Sequence, residues 1–289
     1  MAASKSVTDL VGAARVMPGI NSAELYSDTA AQVCRRSLDN LFQGKHFLRV
    51  NMLTLHYHQI VLDIGCGTGE ATSSLAERLS CGTEICAVDR SREFIDYAQD
   101  SNMDTDISYQ CLNVEEEWPQ CWEEKYTMVF SNYVLHWIKD HHKLYASINR
   151  SMKKDADLVL QFFHSATMSE ETMLAARKAA HDCGIQNEMQ AAMMAIRKQL
   201  PIWKDMAAYK KLISSLGFQV KTCKVEERRY TCETKFERAG MTVTVSPFMN
   251  HVPQDKKLLF ATKYVNYLED PYTIHHKAVV VHAVKVSNC

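Results

Sequence analysis

The sequence predicts an α/β fold: a doubly wound sheet of seven strands with helices on both faces and a helical cap. Two observations give the sheet. Short apolar runs alternate with amphipathic stretches, the pattern of parallel strands crossed by helices. One run, Ile60–Ile64, leads straight into Gly65, Gly67 and Gly69. A third observation gives the cap: two long helical segments interrupt the alternation where a minimal sheet needs only loops.

In chain order, residues 1–22 read as a loose arm, small and polar, with Pro18-Gly19 as a breaker. Residues 23–56 carry helical spacing, with Leu38, Leu41 and Phe42 on one face. Strands are expected at Ile60–Ile64, Glu84–Val88, Ile107–Leu112, Tyr126–Ser131 and Asp157–Phe163. Helices are expected between them at Gly69–Leu79, Arg92–Asp100 and His141–Met152. Ala207–Leu216 is a further helix, stopped by Gly217. Phe218–Tyr230 and Lys277–Val286 supply the last two strands. The expected organisation is an arm over 1–22 and one domain over 23–289, with cap insertions at about 168–206 and 234–268. The first insertion is rich in Ala and Met, which suits either plain core or an adaptable wall for an apolar ligand.

Composition narrows the function. The chain has 289 residues, 46% of them hydrophobic, enough for one large core plus a cap. With 33 basic and 34 acidic residues it carries a formal charge of −1 and no basic block, which argues against a nucleic-acid partner. Ten cysteines are scattered with no C-x-x-C pair, as expected of reduced thiols in a cytoplasmic protein. The start lacks the apolar stretch of a signal peptide, and no run approaches the ~20 apolar residues of a membrane span. In that context Asn149-Arg150-Ser151 reads as a chance match to a glycosylation acceptor. No metal is expected, because His141-His142 and His275-His276 are adjacent pairs whose side chains diverge.

The chemistry concentrates in Val61-Leu62-Asp63-Ile64-Gly65-Cys66-Gly67-Thr68-Gly69. Glycines let the backbone turn tightly and approach a ligand with no Cβ in the way. The helix that follows opens with N–H groups that favour a negative group. Dinucleotide sites share this plan but use G-x-G-x-x-G spacing, whereas the spacing here is D-x-G-x-G-x-G. The next strand ends in Asp89, 20 residues past Gly69, where a carboxylate can accept both hydroxyls of a ribose. The loop resembles that of class I methyltransferases, which implies a Rossmann-like sheet and S-adenosyl-L-methionine as cofactor. By that resemblance Asp63 faces the cofactor's amino group. The implied contacts are Asp63, Gly65, Cys66, Gly67, Gly69, Asp89, Arg90, Asn113, Val114 and Ser131. Asn113 departs from the family, which usually places an acid there, near the adenine amino group.

After the fourth strand comes Phe130-Ser131-Asn132-Tyr133-Val134-Leu135-His136-Trp137-Ile138-Lys139-Asp140. Ligands of doubly wound sheets bind beyond the carboxyl ends of the strands. Asn132, Tyr133, His136 and Trp137 are therefore candidates beside the transferred methyl. The stretch resembles the S-x-Y-x-L-H-W segment of insect juvenile hormone acid methyltransferases, and is similar to S-N-x-x-L-Q-W in trans-aconitate methyltransferases. Glu24-Leu25-Tyr26, Gln32 and Arg35 resemble the first helix of the juvenile hormone acid family, with a slip of one residue. Val245-Ser246-Pro247-Phe248 with Val252-Pro253 resembles its insertion before the last strand. Together these cover roughly residues 23–286. The resemblance implies carboxyl O-methylation of a farnesoid acid, with Tyr26, Gln32, Asn132, Tyr133 and Trp137 at the acceptor. It also implies His136 and Trp137 as catalytic residues and Arg35 on the cofactor's carboxylate.

Carboxyl methylation asks little of the protein. A carboxylate, pKa ~4, is already ionised at neutral pH, so positioning, worth ~7–11 kcal/mol, is what the chain must supply. An amine or phenol acceptor would need a base, and His136 is the candidate. A polyacid acceptor would need several cations, for which the cap offers Arg177, Lys178, Arg197, Lys198 and Arg238. A silent cofactor-binding protein is a further alternative, and monomer and homodimer are both open.

Overall fold

The computed structural model describes residues 23–43, 59–102, 104, 106–164, 170–198, 205–246, 249 and 251–286. The expected arm, the tail of the first helical stretch and Pro247-Phe248 lie outside these residues. Two compact units emerge. A sheet unit comprises Cys34–Ser165, Pro201–Glu227 and Lys277–Cys289; a helical unit comprises Met1–Val33, Ala166–Leu200 and Arg228–His276.

The sheet unit follows the alternation in the sequence. Its strands are β1 (Ile60–Ile64), β2 (Glu84–Asp89), β3 (Ile107–Cys111), β4 (Tyr126–Asn132), β5 (Met152–Phe163), β6 (Phe218–Thr231) and β7 (Thr273–Lys285), in spatial order β3-β2-β1-β4-β5-β7-β6. The chain leaves the sheet unit near the end of β6 and re-enters it within β7. The first five strands pair in parallel, and β7 runs antiparallel to β5, with Asp157 opposite Val284 and Phe163 opposite Ala278. β5 begins five residues earlier than the apolar pattern suggests, because Met152 already pairs with Tyr126; the exposed Lys153–Asp155 that follow lie in a bulge before pairing resumes at Asp157, opposite Met128.

Side chains alternate between two cores, as a sheet covered on both faces requires. Leu62, Ile64, Cys86, Val88 and Val129 enter one core; Val61, Ile85, Ala87, Met128 and Phe130 enter the other. The covering helices are α2 (Gln32–Gln43), α3 (Glu70–Ala76), α4 (Arg92–Ser101), α5 (His141–Ser151) and α8 (Met206–Ser215), the first preceded in the chain by α1 (Ala23–Tyr26). Ser91, Asp140 and Asp205 cap α4, α5 and α8 by accepting backbone N–H groups, each typically worth ~1 kcal/mol. Asn149 is 1% exposed and its Nδ2 donates to the Leu216 carbonyl. The nitrogen that would carry a sugar is thus already engaged inside the fold. No helix among the described residues is long and apolar enough to cross a membrane, and no group of acids, histidines or cysteines among them is arranged to hold a metal.

The helical unit contains α1, a π-helical turn at Ser27–Ala31, α6 (Glu170–Asp182), α7 (Gln186–Lys198), α9 (Lys235–Val245) and α10 (Lys257–Tyr267). Ala175, Ala176, Ala179 and Ala180 make a small-residue stripe packed with Met189, Ala239, Phe260 and Tyr264. Of the described methionines in the first insertion, Met189 is buried as plain core, Met173 and Met193 are half-buried, and Met194 is exposed. Thr234 caps α9 through the Glu237 N–H, and the Glu237 carboxylate takes the Glu233 N–H in return, close to a capping box. The π turn lies within the stretch whose spacing slips by one residue, and each π hydrogen bond spans one residue more than an α bond. α9 packs closely on it: a Cβ at Gly240 would fall 2.4 Å from Thr29.

Candidate active site

β1 delivers Asp63 into the interior and then breaks at Gly65. Gly65 has φ +76°, and a Cβ there would fall 2.1 Å from Val134 Cγ2. Only glycine accepts both the left-handed backbone and the close approach. Gly69, at φ +94°, is crowded by Asn102 and Tyr109 instead. The N–H groups of Gly65 and Cys66 donate to the Val88 carbonyl, tying the loop to the end of β2.

Two carboxylates face this loop. Asp63 is 2% exposed, and its Oδ2 accepts from the Thr72 hydroxyl at 2.7 Å. Burial pushes its carboxyl up to about 7, helped by the charge of Asp89 and opposed by the Thr72 bond. Asp89 accepts from the Gly67 N–H at 3.1 Å through one oxygen and from the Ser91 N–H at 2.9 Å through the other. Burial raises its pKa, against the pull of those N–H groups and of the Arg90 charge. The Cys66 thiol is held well above its ordinary range by burial, so it stays neutral and packs with the core beneath the loop.

The carboxyl end of β4 lies beside the loop. Ser131 donates to the Ile64 carbonyl at 2.7 Å, so its proton is used inside the sheet. Asn132 is also turned inward: its amide meets the Cys34 carbonyl, Ser37 and Gln161. Tyr133 adopts φ +59°, and its N–H donates to the Gln161 carbonyl. A bulky residue in that region stores strain of the kind found at functional sites. The turn Leu135–Trp137 then carries His136 and Trp137, whose rings lie 4.9 Å apart. Phe163 at the end of β5 closes the group, 4.7 Å from the Tyr133 ring and 4.9 Å from His136. Trp137 is 38% exposed.

Residues 62–160 match the family described as a methyltransferase domain. That segment carries a methyltransferase domain. Its similarity to a malonyl-[acyl-carrier protein] O-methyltransferase of Acetivibrio thermocellus is 33% identity over 110 residues, 38% of each chain. The aligned segment thus spans well under half of that relative. Similarity to the trans-aconitate 2-methyltransferase of Escherichia coli is weaker but longer, 22% over 261 residues, 89% of this chain and 92% of the relative. A solved Bacillus halodurans C-125 structure, assigned as a methyltransferase, shares the fold. It has a TM-score of 0.50 and 16% identity over 82% of this chain and 97% of its own.

Within the methyltransferase domain, the expected cofactor residues Asp63, Gly65, Cys66, Gly67, Gly69 and Asp89 converge on one loop. Arg90 is exposed beside Asp89. Asn113 folds onto its own turn, taking the Glu115 N–H and donating to Glu116, while Val114 is buried in the core. Arg35 is exposed on α2. Tyr26 and Gln32 belong to the helical unit, where Gln32 Nε2 donates to the Ser27 carbonyl. Of the cap cations, Arg177 and Lys178 are exposed, with Lys178 over the Tyr267 ring, and Arg238 lies by Tyr264; the side chains of Arg197 and Lys198 lie outside the described residues. Sequence reasoning missed Phe163, although the rule that points to strand ends applies equally to β5. It also missed Val134 and Thr72, whose roles depend on contacts that no spacing announces.

Proposed function

We propose that the chain is an S-adenosylmethionine-dependent methyltransferase that esterifies a small, apolar carboxylic acid, farnesoid or similar. One observation carries this reading: Val134 packs against Gly65, so the turn that presents His136 and Trp137 abuts the cofactor loop. The cofactor suits the residues present. Asp63 is a buried carboxylate acted on by a neutral hydroxyl and a like charge, and a cationic amino group would complement it. Asp89 uses one acceptor site on each oxygen for backbone N–H groups, which leaves lone pairs for two ribose hydroxyls.

When bound, S-adenosylmethionine supplies a sulfonium methyl for in-line displacement. The chain's own part is to place the acceptor and keep water away. Tyr133, His136, Trp137 and Phe163 form an aromatic wall, suited to an apolar acceptor through area burial and ring contacts. A carboxylate acceptor needs no proton removed at neutral pH, so His136 acts as wall rather than base. Two relatives named for acids, trans-aconitate and malonyl-[acyl-carrier protein], support an acid acceptor.

The test is methyl transfer from labelled cofactor across farnesoic, fatty, dicarboxylic and amine acceptors. The expected result is base-labile ester formed fastest on an apolar monoacid. Transfer confined to amines or polyacids would overturn the substrate class, and no transfer to any acceptor would count against the activity.

A further inference from the structure

We propose that His141, Tyr209 and Tyr145 are positioning residues that set the orientation of the turn carrying His136 and Trp137, an assignment that rests on the acceptor role given to that turn above. His141 Nε2 lies 2.9 Å from the Leu135 carbonyl. A carbonyl only accepts, so Nε2 carries the proton and Nδ1 is the acceptor. The Tyr209 hydroxyl, 2.8 Å from Nδ1, therefore donates to it. The Tyr145 hydroxyl, 2.9 Å from that of Tyr209, then donates to Tyr209. Directions along the whole chain follow from one carbonyl: Tyr145 to Tyr209 to His141 to Leu135.

Three features separate this chain from ordinary core. All three side chains are buried, where polar groups cost more than apolar ones of the same shape unless every bond is made. The Leu135 carbonyl already accepts the Ile138 N–H at 3.1 Å, so His141 is not needed to satisfy it; the second bond fixes its direction. The chain ends on the residue immediately before His136, in a turn only three residues long. Tyr209 also packs edge-on against Phe162, the neighbour of Phe163 in β5. Burial keeps the imidazole neutral and both phenols protonated, so the chain holds one arrangement at neutral pH.

The experiment uses the full chain. Tyr209→Phe removes the central hydroxyl and keeps the ring; His141→Gln retains an amide N–H for Leu135, and His141→Phe retains neither bond. Three quantities are read: acrylamide quenching of Trp137, isolated by difference against Trp137→Phe; kcat and KM for the acceptor; and the Kd for S-adenosylhomocysteine. Tyr209→Phe should change Trp137 quenching about twofold and lower acceptor kcat/KM about tenfold, mainly in kcat, since small misplacements are expensive in rate. The Kd should stay within twofold, and His141→Gln should retain more activity than His141→Phe. Should His141→Phe fail to fold, Tyr209→Phe still decides. Lower melting temperatures with Trp137 quenching and kcat/KM both unchanged would overturn the assignment and leave a structural role only. If the parent transfers no methyl group, the enzymatic reading fails, while the quenching comparison still tests the positioning.

Discussion

The glycine loop and the Leu135–Trp137 turn approach each other through Gly65 and Val134 but are held by different means. The loop is fixed through its backbone: glycines at positive φ, N–H groups of Gly65 and Cys66 on the Val88 carbonyl of β2, and the Gly67 N–H on Asp89 at the end of that strand. The turn is fixed largely through side chains: the Phe163 ring on β5 against Tyr133, and the His141 imidazole on α5 on the Leu135 carbonyl, with one backbone bond from Tyr133 to Gln161. A loop of the first kind is written as residue types at fixed spacing. A turn of the second kind is written in its partners, and its own residues say only that aromatic groups gather there.

The largest expected effect breaks both regions at once. Gly65→Ala imposes a strained φ and drives a Cβ into Val134, and should cost ~3 kcal/mol or more of stability in urea unfolding. Adding Val134→Ala should recover part of that loss, since it relieves the clash but not the backbone. Independent, additive effects would show that loop and turn do not press on each other.

Next comes Asp89→Ala, which removes the carboxylate proposed to accept the ribose hydroxyls. Cofactor affinity should fall by ~1.5–3 kcal/mol, measured calorimetrically. Tight NAD binding with none of S-adenosylmethionine would break the loop assignment itself.

Asp63 sharpens the comparison through pH. Its folded pKa of about 7 lies above the ordinary 3.8, so the folded chain without ligand holds an extra proton between these values. Its contribution to stability is therefore greatest at low pH and is lost as pH rises from about 4 to about 7. A cation beside Asp63 favours the ionised form, so cofactor affinity should rise over that window, by up to about tenfold per pH unit. Asp63→Asn should flatten both curves; a wild-type affinity independent of pH from 5 to 7 would contradict the pairing.

The smallest effect on the fold belongs to Trp137→Ala. Trp137 is partly exposed, so unfolding midpoints should move little, while acceptor KM rises several-fold as a large apolar wall is lost. A matching loss of cofactor affinity would mean that Trp137 belongs to the loop's side of the comparison.

The same contrast explains what the sequence made legible. Strand positions, the glycine loop and Asp89 followed from periodicity and spacing, because backbone conformation and burial dictate those residue types directly. β5 reads too short in the sequence because its first pair, Met152 with Tyr126, is separated from the apolar run by the exposed, bulged Lys153–Asp155. Asn132 was expected at the acceptor for its place after β4, but its amide is spent on Cys34, Ser37 and Gln161; strand position gives no sign of which way an amide turns. His141 looked like half of a divergent histidine pair, and its bond to Leu135 becomes visible only with α8 in place to supply Tyr209.

The most direct test of carboxyl methylation without a base is the single-turnover rate against pH, at saturating cofactor so that Asp63 stays ionised, using a farnesoid acid. The acceptor carboxylate is ionised above pH ~6, so the wild-type rate should be nearly flat from there upward. His136→Ala should lower it only modestly, since loss of an obligatory base costs ~10²–10⁴-fold. A wild-type rate that climbs tenfold per pH unit through neutrality and collapses in His136→Ala would contradict the account and make His136 a base.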